Sequence, residues 1–278
     1  MEVRLFCPAL LLIYSLVSAN LQEPFPLGFS MGNQGTVLWE NAAQGHQPWI
    51  SAAFCDNSRK FGLACGAVSY YDRMDNYEDE LIYKAFGGTF WAFKKIRLKL
   101  AISHFSALGI YYEQSGFLSA GFDLFTHLRA AIEITGTRSG LTGFEDAKHN
   151  IAECGFSAWV PFKITAIQLS ISHIPLKTRK THEVDAPVII RNGFHTLSNR
   201  FGAQGIIIQT TPSHSHPLRF ILGEQYRFLK YFAIEASLAN NPLLIGVGVL
   251  IEMAPINASV SLVNHPVLGW SRGFTAMY

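Results

Sequence analysis

Segment after segment of this chain alternates, residue by residue, between apolar side chains and small or charged ones. Phe117–His127 sets Leu118, Ala120, Phe122 and Leu124 against Ser119, Gly121 and Asp123. Ile96–Ser103 sets Ile96, Leu98, Leu100 and Ile102 against Arg97, Lys99 and Ser103, and Leu128–Gly136 sets Ala130, Ile132 and Ile134 against Arg129, Glu133 and Thr135. Asn150–Val160 and Lys163–His173 repeat the pattern, the former with Glu153 and Gly155 on its polar face. Tyr231–Ala239 continues it with Glu235 among the polar positions, and Leu218–Phe228 is a further candidate, with Arg227 near its end. A period of two means strands with two unlike faces. Many of these runs approach the roughly 9–11 residues that a tilted strand needs to cross a bilayer, against about 5–6 for a strand in a soluble sandwich.

The polar face carries charges of both signs on successive strands: Arg97, Lys99, Asp123, Arg129, Glu133, Glu153, Arg227 and Glu235. If the sheet closes, those residues meet one another across a lumen and the apolar faces meet lipid, where an open sheet edge is forbidden. The expected fold is all-β, an antiparallel transmembrane β-barrel of about 14 strands with a short N-terminal plug. An exported soluble sandwich is the alternative. Charged residues are only 15% of the chain and the net charge is +2, so nothing points to nucleic acid.

The one later stretch long enough for a membrane helix, Pro242–Val263, carries Glu252, Pro255 and Asn257 and alternates throughout. It is expected to form two strands around a turn at Met253–Pro255. Trp49–Asp56, Phe61–Tyr71, Leu81–Ala92, Pro187–Leu197, Phe201–Thr210 and Val267–Tyr278 bring the candidates to fifteen. Single-chain bacterial barrels have even strand numbers, so one candidate is spurious, and Trp49–Asp56 is the weakest. Short connections such as 93–95 and 229–230 alternate with longer polar ones: 72–80, 109–116, 137–149, 176–186 and 211–216. Outer-membrane barrels are connected in this way. Strict alternation puts Glu224 beside Leu222 and Tyr226, and Arg272 beside Trp270 and Phe274, on the lipid side. Either a bulge flips the face there or these positions face protein.

The first residues have the form of a secretory signal, residues 1–19: Arg4, an apolar run Leu5–Val17, then Val17-Ser18-Ala19. The mature chain would begin at Asn20, with a plug or hatch over 20–48 and the barrel over 49–278. It would keep Cys55, Cys65 and Cys154, an odd number that argues against a disulfide framework. Cys55 and Cys65 could meet across a hairpin, and Cys154 is expected to pack as a small apolar residue.

"PLGFSMGNQGTVLWENAAQG" resembles the start of the FadL/PorV group of bacterial outer-membrane proteins. Met31-Gly32 and Asn41-Ala42-Ala43 fall where that group has a glycine-rich lead and an Asn-Pro-Ala motif; Ala42 stands in place of the proline. "LRFILGEQY" and "HPVLGWSRGFTAMY" also look like strands of PorV-type sequences. The resemblance implies a barrel of about fourteen strands whose N-terminal segment folds inside. It implies a conduit for hydrophobic small molecules, or a secretion-system component that binds exported cargo. Phe29, Met31, Leu38, Trp39 and Asn41 would form the hatch's ligand site. Gly273, Phe274 and the terminal aromatic Tyr278 look like the tail that barrel assembly machinery recognises. Outer-membrane lipid, that machinery, and a hydrophobic ligand or secreted cargo are the expected partners; no cofactor and no metal are expected.

No catalytic residues are assigned. His104 and Ser106 share a strand face, which leaves open a barrel enzyme acting on lipid, and a purely structural barrel is the remaining alternative. His214 and His216 in "TTPSHSHP" make an incomplete metal site.

Overall fold

The computed structural model describes residues 51–54, 61–70, 81–93, 96–107, 109–162, 165–176, 188–196, 202–212, 218–240, 243–253, 256–265 and 269–278. These form fourteen strands: β1 (Phe61–Tyr70), β2 (Leu81–Phe93), β3 (Ile96–Ala107), β4 (Tyr111–Phe125), β5 (Leu128–Leu141), β6 (Phe144–Pro161), β7 (Thr165–Pro175), β8 (Ile189–Thr196), β9 (Gly202–Thr210), β10 (Leu218–Leu229), β11 (Phe232–Ala239), β12 (Leu244–Met253), β13 (Ile256–His265) and β14 (Gly269–Met277). Each pairs antiparallel with its chain neighbours, and β14 pairs with β1, so the sheet closes on itself. Tyr278 seals the seam. Its N–H donates to the Leu63 carbonyl at 2.8 Å, and the Leu63 N–H donates to its carbonyl at 3.0 Å.

Burial is inverted relative to a soluble protein. Ile102, Ile132 and Val260 are 58%, 49% and 54% exposed on the outer face, whereas Arg97 and Lys99 on the inner face are 0% exposed. Water would reverse this arrangement; hydrocarbon outside a closed sheet requires it. On β12 the alternation is plain, with Ile245, Val247 and Val249 outside and Leu244, Gly246, Gly248 and Leu250 buried within.

The weakest of the fifteen candidates is no strand over its described residues: Ala52–Phe54 is a 3-10 turn, and β1, from Phe61, is the first described strand. The small residues Ser51, Ala52 and Ala53 have no branched apolar face to give lipid, and all three are buried. Two of the long loops are mostly strand. β4 begins at Tyr111, and β5 and β6 run on to a two-residue turn at 142–143, where Gly143 takes a φ of 84°. Their polar sequences hid them, because a hairpin standing clear of the hydrocarbon needs no apolar face. Finally, no bulge interrupts the ladders at Glu224 or Arg272. Both are exposed on the outer face with Leu222, Tyr226, Trp270 and Phe274. Both lie mid-strand, Arg272 in β14 and Glu224 in β10, and the pairs through Leu262, Val247 and Ala236 place them in one register row.

Residues 1–50 lie outside the described residues, and with them the proposed signal segment and the hatch positions Phe29, Met31, Leu38, Trp39 and Asn41. So do Cys55 and the His214/His216 loop. Cys65, exposed on the outer face, and Cys154 are free thiols.

Candidate functional site

The eight charged positions assigned to the lumen all fall on the inward parity of their strands. Five of them converge on one patch of wall. Arg97 on β3 pairs directly with Asp123 on β4, and Arg129 on β5 stands 3.9 Å from the same carboxylate. Glu133 on β5 accepts a hydrogen bond from Ser157 on β6 at 2.5 Å, and Lys99 and Arg191 act on it electrostatically. Arg191 also donates through Nε to Gln209 on β9 at 3.2 Å. Arg97, Lys99, Arg129 and Arg191 thus gather around Asp123 and Glu133, giving the patch more positive than negative charge.

The turn at Ser51–Ala53 rests on this patch. The Ala52 N–H donates to Ser119 Oγ at 2.9 Å, the Ala53 N–H donates to Ser51 Oγ at 3.2 Å, and the Ser51 hydroxyl bonds Glu133. Gly121 is what lets the backbones meet: a Cβ there would stand 2.7 Å from the Ala52 carbonyl oxygen. A segment preceding β1 therefore reaches inside the barrel and is bonded to β4 and β5 by its backbone and a hydroxyl.

Toward the long-loop end lies a second buried group that alternation missed. On β7, Ser172 and His173 together oppose the single Gly155 of β6, a bulge that shifts the register between Cys154 and Phe156. His173 adopts a φ of 61°, a backbone conformation uncommon outside glycine, and its imidazole turns inward. Its Nδ1 lies 2.6 Å from Glu153 Oε2, and both residues are buried. Gly155 leaves the room: a Cβ there would meet the Ile171 carbonyl oxygen at 2.9 Å and Glu133 Oε2 at 3.1 Å. A glycine in a strand next to a histidine near its end was the available signal. Glu113, with Tyr111 donating to it at 3.3 Å, and the Ser115–Thr137 pair at 3.0 Å extend this layer.

On the opposite wall, Gln225 pairs with Glu235 across β10 and β11, leaving Arg227 diagonal to Glu235. At the long-loop end of that wall, Ile207, Ile221, Ala239, Leu244 and Val263 form a buried apolar cluster inside the barrel. His104 and Ser106 sit elsewhere. They share the outer parity of β3, and His104 faces Gln114 and Lys84 across its two ladders, with no carboxylate at either position. Among the described residues no group of three or more His, Cys, Asp or Glu is placed to hold a metal. At the tail, Gly273 faces inward and Phe274 outward, paired with Val68 and Ala67 of β1.

No protein-family model matches the chain, and no curated protein matches it. Solved structures do. One, titled "Asymmetric conductivity of engineered proteins", is 10% identical at a TM-score of 0.45, covering 78% of this chain and 98% of its own. A triple mutant of Rhodopseudomonas blastica porin gives the same identity, coverage and TM-score. Another porin mutant from that organism is 9% identical over the same coverage, with a TM-score of 0.44.

Proposed function

We infer that this protein is an outer-membrane conduit of the FadL/PorV type, in which the segment preceding β1 obstructs the lumen and must shift for solute to pass. The observation that carries this reading is the Ser51–Ala53 turn, hydrogen-bonded to Ser119 and Glu133 inside a closed barrel. A chain that enters its own pore and bonds the wall acts as a plug, and plugs are moved by ligands or partners. The solute class follows from the lining. The apolar cluster at the long-loop mouth accepts hydrocarbon, and the cation-rich patch around Glu133 lies further in. A small hydrophobic molecule with an anionic end suits both. The reading requires no cofactor and no covalent step.

The test is uptake. Liposomes bearing the protein should take up a labelled medium-chain carboxylate faster than the parent alkane or a neutral sugar. Replacing Ile221 and Leu244 by Asn should slow that uptake while leaving a barrel of normal heat-modifiable mobility. Equal uptake of all three solutes would refute the selectivity. No uptake by an intact barrel would leave the secretion role, for which loss of exported cargo on deleting the gene is the measurement.

A further inference from the structure

The outer face of the β3–β6 sector is apolar row after row until one row breaks the pattern. His104 pairs with Gln114, Gln114 with Arg138, and Arg138 with Asn150, so these four share one register row across β3, β4, β5 and β6. All four are exposed on the outside. Neighbouring strands lie about 4.8 Å apart, so the row from His104 to Asn150 spans roughly 15 Å. It contains no carboxylate; among the described side chains of these strands, Glu113, Asp123, Glu133 and Glu153 all fall on the inward parity.

Its height is telling. Going along β5 from Leu128, the outward positions are Ala130, Ile132, Ile134 and Gly136, and then Arg138. About ten residue steps at roughly 3.3 Å each, tilted near 40°, rise about 25 Å, the height of the apolar band of an outer-membrane barrel. Arg138 therefore stands where the hydrocarbon ends on the long-loop side, with His104 a few ångströms nearer the midplane and Asn150 a little farther out, because a row across tilted strands is itself tilted. Just below them the surface is low. Ile102, Gly116, Gly136 and Ala152 form the adjacent row, and a Cβ added at Gly116 or Gly136 would meet nothing within 4 Å.

We propose that the His104–Gln114–Arg138–Asn150 row binds the phosphate of a lipid headgroup in the leaflet on the long-loop side, the acyl chain lying over Gly116 and Gly136. Charge decides the ligand's sign and height decides its source. Arg138 supplies a planar fork of donors suited to phosphate, the two amide side chains supply neutral donors, and the apolar band beneath selects an anion carried on a hydrocarbon chain. The proposal rests on the membrane-barrel reading.

The experiment uses the full chain reconstituted in phosphatidylcholine vesicles with and without phosphatidic acid, and counts retained lipid by native mass spectrometry. One cation at roughly 1 kcal/mol near the surface implies about a 5-fold preference for phosphatidic acid. The double variant His104→Gln, Arg138→Gln should lose that preference and still insert. Arg272→Gln, an outward cation elsewhere on the barrel, should keep it. Equal retention by wild type and double variant overturns the proposal, as does an equal loss in Arg272→Gln. Displacement of the bound lipid by millimolar inorganic phosphate would assign the row to a free anion and also overturn it. Failure of the wild type to insert into phosphatidylcholine would instead sink the membrane reading on which the proposal stands.

Discussion

Replacing Gly121 by alanine should release the inner turn. The added methyl would sit 2.7 Å from the Ala52 carbonyl oxygen, 2.8 Å from its carbon and 2.9 Å from its Cβ. Two of those three atoms are backbone, so no side-chain rotation relieves the contact. On the wall side, Gly121 is held by ladders to Arg97 and Ala131, so the turn is what must move. Moving it breaks the Ala52–Ser119 bond and the Ser51–Glu133 bond, worth about 1 kcal/mol each. Together these are about 2 kcal/mol, or between one and two decades in the docking equilibrium. In planar bilayers the variant should show frequent or sustained open events where the wild type is mostly closed. Ser119→Ala removes only one of the two bonds and should give an intermediate trace. Gly116→Ala, where a Cβ meets open space, should behave as wild type. If Gly121→Ala matched the wild type in conductance and open time, the turn would not be obstructing the pore.

Three other outcomes follow from the same geometry. Deleting Phe274–Tyr278 removes the β14 side of the β1 pairs from Ala64 to Ala67 and both Tyr278 seam bonds, so the truncated chain should lose its heat-modifiable band and become protease-sensitive. His173→Ala should lower the denaturation midpoint by an amount equal to about 3–5 kcal/mol, because it strands a buried Glu153; Glu153→Gln with His173→Gly together should cost clearly less, since glycine also accepts the positive φ. Arg272→Leu should stabilise the barrel in lipid by about 2–4 kcal/mol, because Arg272 lies mid-strand on the lipid face, where a charged side chain is penalised most; no gain in a urea titration would show that its charge is not in the hydrocarbon.

The barrel was legible because its two solvents leave a strict mark. Lipid outside and a polar lumen inside force opposite chemistry onto adjacent residues, and a period of two survives any detail of register. The lumen charges came with it, since parity alone assigns Arg97, Lys99, Asp123, Arg129, Glu133, Glu153, Arg227 and Glu235. What parity cannot show is where the count slips. The Ser172–His173 bulge inserts one residue into β7, and only then does His173 meet Glu153. Nor does parity reach beyond the hydrocarbon. From Tyr111 to Gly116 and from Thr137 to Leu141 both faces are polar or small, so the strands continue with no hydrophobic contrast to announce them.

The same limit explains the inner turn. Ser51-Ala52-Ala53 has no period because its neighbours in space are not its neighbours in a ladder. It packs on Gly121 and bonds Ser119 and Glu133, all on other segments. Yet each contact point is chemically specific. Ser119 offers the acceptor that a backbone N–H in a dry lumen requires, Gly121 gives the clearance, and Glu133 takes the hydroxyl. One inward row carries Ser119 and Glu133, and the next carries Gly121 and Arg97. A lumen wall built only to be filled would put bulk at those positions. This one places a small residue and two hydrogen-bonding residues in adjacent rows, and it surrounds them with paired charges that hold their geometry. Such a surface binds its own chain at one spot and leaves the opposite wall apolar at the mouth, as a conduit with an internal stopper requires.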